Sequence, residues 1–166
     1  MGWLDGRAAR LVGESPAIAA ALAAQGATLV ADGDCDILVH VASPPPVRLA
    51  HELSHAEWRA TLDAGLDQRF LLARDFAAGR RAAGKAGAVV FVGAPEQALG
   101  ADQAAAAGAL GNLTKTLGVE WARDGIRVNA VQTRADDATL GNLVAYLVSD
   151  YAAYVTGAVM GVDLDD

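Results

Sequence analysis

Apolar positions along the chain follow two rhythms in turn. Short, largely apolar runs at 8–12, 28–31, 37–41, 88–92, 126–131 and 158–162 read as strands, and the unbroken run at 88–92 as one covered on both faces. Longer stretches with helical spacing lie between them. The stretch 16–25 has Ser15 as a cap and Pro16 at the first helical position, where a missing amide hydrogen costs nothing. Ser54 opens a second helix, and Glu57 three residues on completes a capping box. Trp58, Leu62, Leu66 and Phe70 then recur every four residues and predict one apolar face. A long helix over 102–123 carries Leu110, Leu113, Leu117 and Trp121 in register, and another spans 140–149. Strands alternating with helices predict βαβ units around a parallel sheet.

Composition narrows the class. At 166 residues the chain reads as one domain. Its 38 alanines and 18 glycines, with only 5% aromatic residues, suit helices packed closely on a sheet and disfavour an aromatic-lined sugar or base site. A net charge of −7 and a pI near 4.8 remove the electrostatic basis for binding nucleic acid or an anionic membrane surface. No apolar run approaches the ~20 residues that span a bilayer, and Met1–Gly6 carries no secretory pattern. One cysteine, Cys35, fits a reducing cytoplasm.

Seven fragments in order carry a family pattern. They are Leu4-Asp5-Gly6-Arg7, Asp36-Ile37-Leu38-Val39, the helix from Trp58 to Leu72, Leu113-Thr114-Lys115-Thr116-Leu117 with Glu120, Gly125-Ile126-Arg127-Val128-Asn129-Ala130-Val131, Val148-Ser149-Asp150, and Tyr154-Val155-Thr156-Gly157 with Val162-Asp163. Together they resemble the short-chain dehydrogenase/reductase family, especially its 3-oxoacyl-thioester reductase branch. The resemblance implies an α/β, Rossmann-like doubly wound parallel sheet of about six strands, in one truncated domain over residues 1–166. Two family pieces have no counterpart: the third strand with its flanking helices, between Val30 and Asp36, and the substrate lid, between Val131 and Leu140.

The resemblance also says which positions ought to do chemistry. The family's phosphate-binding Gly-x-x-x-Gly-x-Gly turn falls on Gly13, Ala17 and Ala19. Two of its glycines are thus methylated where a pyrophosphate must approach the backbone. Glu14 adds a carboxylate there and Pro16 removes an amide donor. The Asn-Asn-Ala-Gly turn reads His40-Val41-Ala42-Ser43. The catalytic tetrad Asn, Ser, Tyr and Lys falls on Gly65, on Gly93 or Ala94, on Gln103 and on Ala107. Gln cannot donate a proton near neutral pH, and Ala cannot tune a pKa. The nearest lysine, Lys115, matches an ordinary surface lysine of the family.

Other signals have plainer readings. His51-Glu52-Leu53-Ser54-His55 spells a zinc-protease string, but Ser54 as N-cap leaves His51 before the helix, and no metal site is expected. Cys35 between Asp34 and Asp36 reads as an inert surface thiol. Ser15 and Ser43 read as cap or turn residues, the triple proline as a rigid stop, and the acidic tip Asp163-Leu164-Asp165-Asp166 as a solvated tail.

The expected function is a non-catalytic, pseudoenzyme-type subunit. It would pair with an active relative acting on an acyl thioester or a related carbonyl or alcohol, in a heterotetramer. Heteromeric family members include mitochondrial 3-oxoacyl carrier reductases and an acyl-CoA dehydrogenase of anaerobic toluene breakdown. NAD or NADP would sit in the partner and not in this chain, and self-association stays open. The alternatives are an oxidoreductase with relocated chemistry and a small-molecule-binding module using the crevice at the strands' C-terminal ends.

Overall fold

The computed structural model describes residues 1–42, 45–94 and 100–162. Six parallel strands form one sheet: β1 (Ala8–Val12), β2 (Thr28–Leu29), β3 (Ile37–Val41), β4 (Gly87–Gly93), β5 (Ile126–Gln132) and β6 (Val159–Gly161), in the order β2-β1-β3-β4-β5-β6. Five α-helices connect them: α1 (Pro16–Ala24), α2 (His55–Leu62), α3 (Gln68–Ala83), α4 (Ala101–Trp121) and α5 (Ala138–Val148). The expected strands are all present; β2 and β6 are shorter than their apolar runs, because each sits at a sheet edge with few residues to pair. Strand order reverses direction between β1 and β3, so a crevice opens there at the strands' C-terminal ends.

Alternate residues of each strand feed two cores. Ile37, Val39 and Val90 point toward Ile18 and Leu22 of α1 and Val144 and Val148 of α5. Leu38, Val89, Phe91 and Val128 point toward Ala73 and Ala77 of α3 and Leu110, Leu117 and Trp121 of α4. Small residues permit the tightest approaches. A methyl on Gly141 would lie 2.6 Å from the Ala17 carbonyl oxygen, so α5 rests directly on α1. A methyl on Gly118 would lie 2.5 Å from the Gly157 nitrogen, so α4 rests on the segment before β6.

Both caps form as expected. Ser15 accepts from Ile18 N at 3.1 Å, and Ser54 and Glu57 make the full capping box. The predicted stripe does not form one buried face. Trp58, Leu62 and Leu66 are half-buried and Phe70 is exposed. A π-turn over Asp63–Asp67 rotates the following helix, and the face of α3 against the sheet is Arg69, Ala73, Ala77 and Arg80.

The short passage from β2 to β3 is held by one buried side chain. Arg80 donates to Asp34 at 3.3 Å, to the Cys35 carbonyl at 3.2 Å, to Asp36 at 2.9 Å and to the Ala86 carbonyl at 2.8 Å. Asp36 also accepts from Ala8 N at 2.9 Å, which ties this passage to β1. Cys35 is buried here, and not at the surface as its acidic neighbours suggest. Burial is the main cause raising its thiol pKa, with the Asp34 charge adding to it and Arg10 opposing it.

The family-like phrase on β5 holds the C-terminal segment. Arg127 donates to the carbonyls of Leu147, Ser149 and Ala152 at the end of α5. Asn129 donates to the Val155 carbonyl at 2.9 Å and accepts from Ala158 N at 3.1 Å. Between β5 and α5 the chain needs only residues 133–137, where the resemblance expects a lid. Ser43, the first proline of the triple and the acidic tip lie outside the described residues.

Candidate functional site

Two concavities hold the positions that the resemblance marks. The first is a cleft of about 280 Å³ over the ends of β1, β3 and β4, lined by Glu14, Ser15, Val41 and Asp136 among others. Gly13 turns the chain here with φ +89°, and a methyl on it would lie 2.0 Å from the Val41 carbonyl oxygen. This one surviving glycine of the phosphate turn is therefore required by the close approach of β3. Ala17 and Ala19 lie within the first turns of α1, whose N-terminus carries a local positive potential. A carboxylate of the chain itself sits at that end. Asp136 Oδ1 accepts from the Ser15 hydroxyl, and Asp136 Oδ2 lies 3.5 Å from Ala17 N.

The second is a cavity of about 70 Å³ on the α3–α4 side of the sheet. Gly65, Gly93, Ala94, Gln103 and Ala107 all line it. The positions given by the resemblance for the four catalytic groups, scattered from 65 to 107, thus converge on one space. None of the side chains at them titrates. A methyl on Gly65 would lie 3.1 Å from the Ala106 methyl, leaving little room for a longer group. Gln103 is buried and donates from Nε2 to the Pro45 carbonyl at 2.6 Å. Lys115 is exposed and takes no part in the lining.

Sequence reasoning assigned no role to three buried charged or titratable groups nearby, Arg69, His40 and Asp102. Arg69 lines the cavity from α3, and its Nη2 donates to the Val92 carbonyl at 2.8 Å. Its signal was a basic residue in phase with Ala73 and Ala77 once the π-turn is counted. His40 is buried on β3, and its pKa is lowered to about 4, first by burial and then by the Arg69 charge. Asp102 is also buried and accepts from the Thr61 hydroxyl at 2.5 Å.

His51 belongs to a single 3₁₀ turn before the Ser54 cap, while His55 is the first residue of α2. The two imidazoles therefore do not share a helix face. Among the described residues no three His, Cys, Asp or Glu side chains cluster in a way that would hold a metal ion, and no helix is long and apolar enough to cross a membrane.

Comparison with known proteins fits this geometry. Residues 12–136 match the family described as enoyl-(acyl carrier protein) reductase. Cis-4-hydroxycyclohexanecarboxylate dehydrogenase of Sinomonas cyclohexanicum is 32% identical over 163 aligned positions, which take in 79% of this chain and 65% of that protein. A subunit of (2S)-[(R)-hydroxy(phenyl)methyl]succinyl-CoA dehydrogenase of Thauera aromatica is 32% identical over 197 positions, 96% of this chain and 78% of that one. Among solved structures, a candidate NAD(P)-dependent gluconate 5-dehydrogenase of Beutenbergia cavernae, with NADP bound at low occupancy, superimposes with a TM-score of 0.86 at 26% identity and covers 96% of each chain. With most of its length matched in sequence and its whole sheet matched in space, the chain belongs to the short-chain dehydrogenase/reductase family.

Proposed function

We propose that this chain is a non-catalytic subunit that assembles with an active short-chain dehydrogenase and supports it. The observation that carries this reading is the convergence of Gly65, Ala94, Gln103 and Ala107 on one cavity. The site keeps its architecture while its side chains can neither give nor take a proton near neutral pH.

The cofactor side points the same way. The family's NAD(P) pyrophosphate needs a helix N-terminus free to receive an anion. Here Asp136 stands at that terminus, Glu14 lies in the same cleft, and the glycines after Gly13 are Ala17 and Ala19. These residues do not fit a dinucleotide, so NAD or NADP is assigned to the partner and no reaction step to this chain.

Surfaces for assembly remain. Phe70 and Leu71 on α3 and Val119 on α4 are exposed, as are Tyr151 and Tyr154 before β6. The resemblance places subunit contacts on these two helices and at the C-terminal end. The Thauera aromatica relative is itself named as a subunit of a (2S)-[(R)-hydroxy(phenyl)methyl]succinyl-CoA dehydrogenase, which supports a partner acting on an acyl thioester or related alcohol. Titration of the purified chain with NADH and NADPH, read by nucleotide fluorescence, tests the reading. It predicts no saturable binding at concentrations that saturate an active relative. Micromolar binding would instead favour an oxidoreductase with relocated chemistry.

A further inference from the structure

Two buried side chains face the α3–α4 cavity with hydrogen-bonding capacity unused. Arg69 is 2% exposed, and its Nε and Nη1 have no hydrogen-bond partner among the described residues. Gln103 is 4% exposed. Its amide orientation follows from the Pro45 carbonyl, which can only accept, so the nitrogen faces Pro45 and Oε1 is the atom left unpaired. Both side chains line the same cavity.

A buried cation without a counter-charge is costly, and apolar walls do nothing to offset it. Burial lowers the Arg69 pKa only to about 10, so it stays charged at neutral pH. An anion is therefore the complementary occupant. Its remaining surface must suit Ala42, Ala64, Ala106, Leu110 and Val159. Inorganic phosphate would press several oxygens against these methyl groups, where no donor meets them. A carboxylate on a short carbon chain places its charge at Arg69 and its carbons against the alanines. The cavity is about 70 Å³, roughly half the volume of an engineered apolar cavity that takes benzene. That size suits a chain of two to four carbons.

We infer that this cavity binds a short-chain carboxylate, its anionic oxygen accepting from the free N–H groups of Arg69. In hydroxylated members of the class the hydroxyl donates to Gln103 Oε1. The inference stands apart from the assembly reading, because position 69 is not one of the family's catalytic positions and no partner is needed to form the site.

The test is calorimetric titration of the full chain with propionate, lactate, propanamide and inorganic phosphate. Propionate and lactate should bind, with lactate tighter, while the neutral isostere propanamide and phosphate should not. Arg69→Met should weaken propionate at least about tenfold, the loss of one charge-assisted hydrogen bond. Gln103→Ala should abolish the advantage of lactate over propionate. Should Arg69→Met fail to fold by circular dichroism, Ala107→Leu decides, since it fills the cavity and leaves Arg69 in place; it should abolish binding. Propanamide or phosphate binding as tightly as propionate, or unchanged affinity in Ala107→Leu, would overturn the inference. Failure to assemble with a dehydrogenase would leave these affinities unmoved.

Discussion

The Ser15 hydroxyl donates to the carboxylate of Asp136, 121 residues further along the chain. Ser15 in turn caps α1 by accepting from Ile18 N. This places a fixed anion at the helix terminus that a dinucleotide-binding fold keeps for phosphate. Asp136→Asn keeps the shape and removes the charge. It should lower stability by about 0.3–1 kcal/mol in urea unfolding, the usual size of a charge–helix-terminus interaction at an exposed site. Sulfate should then raise the melting temperature of the variant more than that of the parent, because the vacated terminus accepts an external anion. Equal sulfate responses would show that Asp136 does not hold this position in solution.

Arg80 replaces with one guanidinium what a longer chain does with whole elements. It holds Asp34, Cys35 and Asp36, which carry the chain from β2 to β3. Arg80→Met leaves Asp36 Oδ1 and the carbonyls of Cys35 and Ala86 without this donor. A cost of about 3–5 kcal/mol is expected in denaturant unfolding, as for a broken buried pair. Amide exchange should accelerate first at residues 32–36. A loss below about 1 kcal/mol would mean that the turn is held by other contacts.

Two glycines of α4 should respond in opposite directions. A methyl on Gly118 meets the Gly157 nitrogen at 2.5 Å, backbone that cannot yield cheaply. Gly118→Ala should cost about 1–3 kcal/mol through overpacking. Among the described residues nothing lies within 4 Å of a methyl added at Gly108, so Gly108→Ala should stabilise the helix by about 0.5–1 kcal/mol. Thermal unfolding of the two variants beside the parent measures both signs.

His40 makes stability depend on pH. Its folded pKa of about 4 lies below the ordinary 6.5 because the site is buried and faces Arg69. Between these values the unfolded chain binds a proton that the folded chain refuses, so stability rises with pH. The contribution is complete above pH 6.5, is lost as pH falls toward 4, and amounts to roughly 3 kcal/mol at most. His40→Leu should flatten the stability profile in that window relative to the parent. An unchanged slope would place the titration on other groups.

Much of the sheet was legible because its central strands β3, β4 and β5 are buried along most of their length and read as apolar runs. The extents 8–12 and 37–41 agree with β1 and β3. The α2–α3 stripe failed because a π-turn adds a residue per turn and moves the buried face from Phe70 to Arg69. Counting along the family resemblance pointed to Gly65, Gly93 or Ala94, Gln103 and Ala107, and the fold gathers them into one cavity. Asp136 and Arg80 were invisible at that level, because their partners lie 121 and 44–46 residues away and leave no local pattern.

The most direct measurement is native mass spectrometry of this chain co-expressed with a dehydrogenase of the same family that retains the Tyr-x-x-x-Lys pair, encoded beside it. A mixed tetramer containing both chains is expected, with nucleotide bound only in proportion to the active one. A stable monomer or homo-oligomer of this chain, formed while the active relative assembles without it, would rule out the subunit role.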